Sequence, residues 1–562
     1  MKELLQHGVT ARADAAPEAV AVAGGGEQLT YGSLEADSNR LARLLAAAGC
    51  GRGDRVAILL PKQPMAIVAM LAALKADAVY VPFDPTEPPA RLARLLKAAD
   101  CRCVLAAGPV GAALRGVLEQ GLLARLPAIG WLDAGAEPDA GLEVVFRRRD
   151  IESFAATPPV TMNDPSDVAH ILFTSGSTGM PKGVTITHAG VLAFLEWAER
   201  YFGVGAGDRI AQHAPLRFDL STFDVFGTLR AGAELRLVPS ELNLQPGRLA
   251  QFLRDSRITR WLSVPSTLGL MARFDAVAPG DFPELRDLMF AGEVLTIPTL
   301  AHWMRRLPHV RFTNLYGPTE TTIASTHYTI PACPDAGAGP IPIGKPCDGE
   351  ELMILDARRR PVPDGRTGDI YIRGAGVSPG YWRDPERTQS AFLDWRAARG
   401  RRMRIYRTGD RGWRDADGFY HFVGRADAQI KSRGYRIELG EVERALLSLP
   451  AVQDGAIVAI PSSGFEGSLI CCAYVAADGA DPGPLALRAA LAAKLPAYML
   501  PARWRRWQSL PVNPNGKCDR RRLQDEFRLA EAEPARGGPG RKSVPDAYAT
   551  VCSNASGGAE ID

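Results

Sequence analysis

"LFTSGSTGMPKGV" spans residues 172–184 and follows an apolar run. Its glycines, including Gly176 and Gly179, let backbone amides converge on an anion. The hydroxyls of Thr174, Ser175, Ser177 and Thr178 add donors, and Lys182 adds a point charge. Such a tract suits phosphate oxygens. A polar surface turn is the plainer alternative, but the density of glycines, hydroxyls and lysine argues against it. It is not a Walker loop. Pro181 precedes Lys182 and removes a backbone donor from the cradle, and Gly183 stands where Ser or Thr is needed. The residues beyond Lys182, "GVTITHAG", read as a strand before any helix begins.

Outward from this loop, helical and strand-like patterns alternate. Before it, "YGSLEADSNRLARLLAAAG", "RVAILL", "AIVAMLAALKA" and "AVYVPFD" read helix, strand, helix, strand. After it, from about 185 to 320, the same rhythm returns in "RIAQHAP", "ELRLVPS", "RWLSVPSTLGLM" and "DLMFAGE". That succession predicts two layered α/β subdomains with helices covering parallel sheets. From 340 the pattern turns to short strands, "EELMILD", "GDIYIRG" and "GFYHFVGRADAQ", a β-rich subdomain. After 430, "YRIELGEVERALLSLP", "GAIVAIP" and "LICCAYV" fit a small α+β domain. The Gly-, Ala-, Ser- and Pro-rich end has no periodicity and is expected to be a disordered tail.

Composition narrows the function. Hydrophobic residues make up 46% of 562 positions, enough for a large core. Lys plus Arg (66) nearly balances Asp plus Glu (63), so no net field draws the chain to nucleic acid, and the Arg clusters read as solvated faces. The nine cysteines lack zinc spacing and redox pairing, so they read as buried free thiols in a reducing compartment. No signal segment and no membrane span is visible, and a cytoplasmic enzyme is expected.

At the loop the chain resembles the adenylate-forming superfamily: acyl-CoA synthetases, luciferases and the adenylation domains of nonribosomal peptide synthetases. The resemblance covers about residues 15–525. It rests on an ordered set of blocks: "LKADAVYVPFDPTEPPARL" (74–92), the loop itself, "NLYGPTE" (314–320), "YRTGD" (406–410), "GRADAQIKSRGYRIELGEVE" (424–443) and "NPNGKCDR" (513–520). It implies a large N-terminal domain over 1–426, a small mobile C-terminal domain over 427–527 joined at a hinge at Asp427, and a tail over 528–562. It also implies a reaction in which a carboxylate attacks the α-phosphorus of ATP, giving an acyl-adenylate and pyrophosphate. An anion must meet a polyanion there, so fixed cations and donors carry the catalysis.

The resemblance assigns roles residue by residue. Glu320 would ligate Mg²⁺, for which a carboxylate is a suitable hard ligand. Thr319 would lie beside the α-phosphate, and Lys182 would serve the phosphates with the loop. Tyr316, Asn314, Leu315, Gly317, Gly292 and Glu293 would line the adenine pocket. Asp410 would accept the ribose hydroxyls, Arg425 would hold the ribose or phosphate side, and Phe422 would pack on the nucleotide. Lys517, in a polar turn, would enter the site and bridge substrate carboxylate and phosphate. Lys517→Ala is therefore expected nearly to abolish adenylation with the fold intact. The opposite face of the small domain, including "KSRGYRIELGE", would serve thiol transfer.

The stretch "RFDLSTFDVFGTL" (217–229) bears on the substrate. In amino-acid-activating members of the family the Asp after Phe pairs with the substrate ammonium, and Asp219 matches. Asp224 reads either as the recognising acid or as a helix-surface charge, with Asp219 preferred. The pocket positions carried across are Asp219, Leu220, Phe223, Ser263, Met289, Ala291, Leu315, Ile323, Ala324 and Lys517. Apart from the Asp and Lys, only Ser263 is polar, so a small or medium apolar amino acid is expected. The set resembles proline-activating enzymes, with Phe223 and Ser263 departing from them; alanine, 2-aminobutyrate, another cyclic imino acid and a β-amino acid stay open. No carrier attachment motif Leu-Gly-Gly-x-Ser occurs in the sequence, so the expected acceptor is the phosphopantetheine thiol of a separate carrier protein. The alternatives are an acyl-CoA synthetase for another carboxylic acid and a non-catalytic scaffold paralogue.

Overall fold

The computed structural model describes residues 3–139, 141–176, 181–335, 337–396, 402–427, 429–462, 467–480, 482–513 and 518–532. Ser177, Thr178, Gly179 and Lys517 lie outside the described residues, as does most of the expected tail. The chain divides into two units, Met1–Leu510 and Pro511–Asp562.

The first unit is built on two large sheets. The nine-stranded one is parallel through its interior: Arg311–Tyr316, Asp287–Ala291, Arg260–Ser263, Arg209–Gln212, Glu234–Leu237 and Val20–Gly24 lie side by side. Antiparallel strands close its edges. The eight-stranded sheet runs parallel from Val168–Thr174 through Val79–Pro82, Arg55–Leu59, Cys103–Ala106 and Ala128–Trp131 to Val144–Arg147. Lys182–Thr187 and Gly380–Tyr381 extend it antiparallel at the other edge. The two layered α/β lobes expected from the patterning are these sheets with their helices.

Helix Tyr31–Ala47 starts at Thr30, whose hydroxyl accepts from the Ser33 N–H at 3.2 Å, a standard N-cap. Just beyond its end Gly49 takes φ of +83°, open to glycine without strain. Helix Pro64–Lys75 is buried at every position because it touches strands of both sheets. Its one charge is answered locally: Lys75 Nζ lies 2.7 Å from Glu35 Oε2, 2.8 Å from Ser38 Oγ and 2.7 Å from Asn39 Oδ1.

A five-stranded antiparallel sheet follows, Glu350–Leu355, Gly368–Gly374, Arg402–Arg414, Phe392–Arg396 and Tyr420–Arg425, which is the expected β-rich subdomain. Residues 429–510 hold a hairpin, Gln429–Ser432 with Tyr435–Glu438, and a three-stranded sheet, Val452–Pro461, Ser468–Ala476 and Arg503–Arg506. Helices Leu439–Leu447 and Pro484–Ala492 cover them around a separate core that includes Ile437, Val442, Ile457 and Met499.

The second unit contains a bridge between Val512 and Cys518 and helix Arg520–Ala532. That helix runs past the expected tail boundary at 528, with Leu523 and Phe527 buried four residues apart just before it. Two further expectations change. Asp224 is 1% exposed, not a helix-surface charge. Of the eight described cysteines, Cys333 is exposed and Cys101 and Cys518 are half-buried, so only the remaining five are buried thiols. No helix among the described residues is long and apolar enough to cross a membrane.

Candidate functional site

The carboxyl ends of the parallel strands converge on one cleft. Strand Arg260–Ser263 ends at Val264, strand Asp287–Ala291 at Gly292, and strand Arg311–Tyr316 at Gly317, Pro318 and Thr319. Ligands of open α/β sheets bind at such ends, because loops there can vary while the sheet holds them still. Leu172, Phe173, Thr174 and Ser175 line the cleft from the other sheet, and Gln429, Lys431, Gly434, Tyr435 and Arg436 cover it from the hairpin. Arg217, Asp219, Asp410 and Arg425 complete its charged lining.

The quoted loop joins two paired strands, with Thr174 opposite Lys182. Ser175 Oγ donates to the Arg436 carbonyl at 2.7 Å, while Thr174 Oγ1 is buried without a hydrogen-bond partner among the described residues. Lys182 Nζ lies 2.9 Å from Glu320 Oε1 and 4.9 Å from the centre of the Tyr381 ring.

Glu320 is fully buried and its carboxylate is crowded with donors. Lys182 and the Tyr381 hydroxyl, at 2.8 Å, share Oε1, and Arg436 reaches Oε2 at 2.8 Å. Burial alone would raise this carboxyl, but Arg436 and Lys182 outweigh it and hold it well below the ordinary range. Burial, with Arg436 close by, lowers the Lys182 ammonium. A divalent ion does not fit at Glu320 in this arrangement, since its oxygens are taken and nothing is exposed. Among the described residues no group of three His, Cys, Asp or Glu could hold a metal elsewhere.

Asp410 accepts from the Tyr316 hydroxyl at 2.7 Å and from Arg425 at 2.6 Å. Arg425 also clasps Asp427 with two nitrogens, each 2.7 Å from a carboxylate oxygen. Phe422 packs beside Tyr316 in a small cluster with Ile343 and Tyr420. Asn314 Nδ2 donates to the Pro342 carbonyl at 2.8 Å. Glu293 accepts from the N–H groups of Ser266 and Gly434, at 3.0 and 2.8 Å, and burial raises its carboxyl.

Asp219 opens the short helix Asp219–Thr222 and lines the cleft. Its Oδ2 accepts from Thr319 Oγ1 at 2.6 Å, and it makes no ion pair among the described residues. Burial raises its carboxyl, and the Thr319 hydroxyl and the field of Lys431 only partly offset this. Leu220, Ala291 and Ile323 line the same cleft, while Phe223, Met289, Leu315 and Ala324 are buried in the adjoining core. Ser263 Oγ lies 3.2 Å from His213 Nδ1, and burial pushes that imidazole down to about 3, so the ring is neutral.

The resemblance gives the hairpin segment a part in thiol transfer but assigns no separate role to Lys431 or Arg436. Arg433 and Gly434 both have positive φ, +52° and +78°, as a tight two-residue hairpin turn requires. A Cβ on Gly434 would stand 2.8 Å from Val264, so only glycine allows this approach. "SRGYR" between alternating residues carries that turn signal; nothing in the sequence marks Tyr381. At the other end of the cleft Arg217 pairs with Asp84 at 3.0 Å. Its guanidinium lies over the rings of Phe218, Tyr435 and Tyr498 at 5.1, 5.1 and 5.2 Å.

Two large sheets that bring Thr174, Ser175, Asp410 and the cations Arg425, Lys431 and Arg436 around one cleft fit an adenylate-forming enzyme. The chain belongs to the AMP-binding enzyme family, whose model matches residues 9–382; the model of the AMP-binding enzyme C-terminal domain matches residues 441–517. It is an AMP-forming ligase by class. An L-proline--[L-prolyl-carrier protein] ligase of Streptomyces coelicolor is 37% identical over 507 residues, 89% of this chain and 92% of that protein. Tyrocidine synthase 3 of Brevibacillus parabrevis is 35% identical over 511 residues, covering 91% of this chain but only 7% of that much longer protein. Among solved structures, the Vibrio cholerae adenylation domain AlmE in complex with glycyl-adenosine-5'-phosphate superposes with a TM-score of 0.78 at 25% identity, covering 93% of this chain and 98% of that one.

Proposed function

We propose that the protein activates a small or medium apolar amino acid with ATP, as the aminoacyl-adenylate, and passes it to the phosphopantetheine thiol of a separate carrier protein. Proline is the first substrate to test. The observation that carries this reading is Asp219, a carboxylate facing the cleft with one hydroxyl donor and no ion-pair partner among the described residues. An ammonium from the substrate supplies the missing charge and restores the ionised form that burial opposes. A carboxylic acid without an amine would leave that cost unmet.

The chain's residues divide the work. Asp219 orients the amine and so places the substrate carboxylate toward Thr319. Tyr316 and Arg425 hold Asp410 in a fixed pose, ready to accept ribose hydroxyls. Lys182 and the loop donors would face the phosphates, and Lys517 would supply the cation at the reacting carboxylate. Mg²⁺ would screen the triphosphate when bound, but Glu320, held by Lys182, Tyr381 and Arg436, has no oxygen left for it. Leu220, Ala291 and Ile323 present apolar surface to the side chain. The relative named as a proline ligase and the solved glycyl-adenylate complex support an amino-acid substrate.

Amino-acid-dependent ATP–pyrophosphate exchange across proline, alanine, 2-aminobutyrate, cyclic imino acids and β-amino acids tests the reading. Exchange with one small apolar amino acid is expected. A signal with fatty or aryl acids and none with amino acids would overturn it.

A further inference from the structure

Ile323 lines the cleft with a backbone that is unusual for a β-branched residue. Thr322 and Ile323 both have positive φ, +57° and +72°. Such dihedrals persist where the surroundings over-determine them. The same turn carries Thr319, whose hydroxyl donates to Asp219 at 2.6 Å. The segment after strand Gly368–Gly374 holds it. The Thr322 hydroxyl donates to the Gly376 carbonyl at 2.6 Å, and the Ser378 N–H donates to the Glu320 carbonyl at 2.9 Å. The approach is close, since a Cβ on Gly376 would stand 2.6 Å from the Thr321 carbonyl oxygen. Gly376 is held in turn by Glu350, whose Oε1 accepts from its N–H at 2.9 Å. Glu350 opens strand Glu350–Leu355 opposite Gly374. Its carboxyl lies across that glycine, where a Cβ would stand 2.3 Å from Oε1. Burial raises the carboxyl to about 7, which the Gly376 N–H and the Ser325 hydroxyl only partly offset. Near neutral pH a glutamine is therefore a close mimic of it.

We propose that Glu350 is a positioning residue for substrate selection, which fixes the 319–323 turn through Gly376 and so sets the Ile323 wall of the cleft. Glu350 does not line the cleft itself. Without its carboxyl, Gly376 drifts from the turn, Thr322 and Ile323 relax toward ordinary dihedrals, and the wall gives way to a longer side chain. The inference deepens the amino-acid reading of the cleft and rests on it for its selectivity arm.

Pyrophosphate exchange on the full chain tests this with the best amino acid and its homologue one methylene longer. In Glu350→Ala the ratio of their kcat/KM values should shift toward the longer homologue by about threefold to tenfold, within what one methylene is worth in an apolar pocket. The ratio does not depend on the fraction of folded enzyme, so a merely structural loss leaves it unmoved. Glu350→Gln should keep the parent's ratio within about twofold, since it keeps the acceptor for the Gly376 N–H. Gly374→Ala crowds the carboxyl off its seat with Glu350 still present. It should shift the ratio the same way and add less than about twofold to Glu350→Ala, as two changes to one contact do. A second arm, hydrogen–deuterium exchange of the ligand-free chain, needs no substrate. Glu350→Ala should speed amide exchange over 319–325 by about tenfold, a local opening, while Glu350→Gln matches the parent. An unmoved ratio in Glu350→Ala, a shift in Glu350→Gln as large as in Glu350→Ala, or protection of the turn that survives Glu350→Ala overturns the proposal. If Glu350→Ala fails to fold, Gly374→Ala carries both arms with the same outcomes. A parent that exchanges with no amino acid defeats the functional reading, and the deuterium arm then decides this inference alone.

Discussion

Asp219 and Asp224 stand five residues apart on one helical stretch, and burial raises both carboxyls. Their surroundings differ. Asp219 faces the cleft and holds a hydroxyl donor at 2.6 Å. Asp224 is 1% exposed, and no side-chain donor reaches either of its oxygens among the described residues. Its compensation is the field of Lys62, whose ammonium donates to the Gln212 and His213 carbonyls at 3.3 and 2.7 Å. Desolvation alone therefore does not mark a ligand site. What separates the two acids is access: a cation from outside can reach Asp219, whereas Asp224 has a partner only from within the fold.

The largest consequence falls on Asp219. Asp219→Ala should cut amino-acid-dependent pyrophosphate exchange by about 10²- to 10³-fold, the usual cost of a lost charge contact at a reacting centre, while ATP affinity changes by less than about threefold. Equal losses in both would show that Asp219 serves the nucleotide instead, and the contrast with Asp224 would dissolve.

The pH dependence sharpens the same point. Asp219 binds the ammonium only when ionised, and burial has moved its ionisation upward. As pH falls through that raised value, the KM for the amino acid should climb by about tenfold per unit, because the substrate amine stays protonated throughout. The stability effect has the opposite sign. The folded protein holds the Asp219 proton more tightly than the unfolded chain does. Ionising it therefore costs stability as pH rises from the ordinary carboxylate range through the raised value. Asp219→Asn should accordingly flatten the KM profile and raise the ligand-free thermal midpoint at neutral pH. A parent KM that stays flat as pH is lowered all the way to the ordinary carboxylate range counts against the assignment.

These residues were visible in the sequence to unequal degrees. The alternation of short apolar runs and amphipathic helices exposed the parallel sheets, because the side-chain periods of strand and helix are local properties. Asp219, Asp410, Glu320 and Lys182 stood out because each matches a short block of the family that the chain resembles. Their partners did not. Lys182 and Glu320 are separated by 138 positions and Arg436 and Glu320 by 116, so those pairs exist only once the sheets close and the hairpin docks. Burial at 224 was equally hidden. "DLSTFDVFG" reads as an amphipathic turn with a charge to spare, whereas the five residues Phe223–Gly227 form a π-helical turn. Such a turn widens the helix and shifts its facing, which a 3.6-residue period does not anticipate.

The smallest effect is expected at the sealed pair. Burial brings Lys62 down to about 7, so protonating it costs the folded state, and on its own that cost would fade as pH rises from 7 toward the ordinary lysine value. Asp224 works in the other direction, because its raised carboxyl loses stability when it ionises. The opposite charges of the two groups favour one another only while both are present. Lys62→Met should therefore lower the thermal midpoint, since it removes the cation whose field favours ionised Asp224. The double variant Lys62→Met with Asp224→Leu should regain the parent's midpoint or exceed it, and exchange should stay within about threefold of the parent, as apolar replacement of a buried pair is often neutral or stabilising. A double variant that folds well yet loses exchange as Asp219→Ala does would put Asp224 into the substrate's reach. Access would then no longer be what distinguishes the two acids.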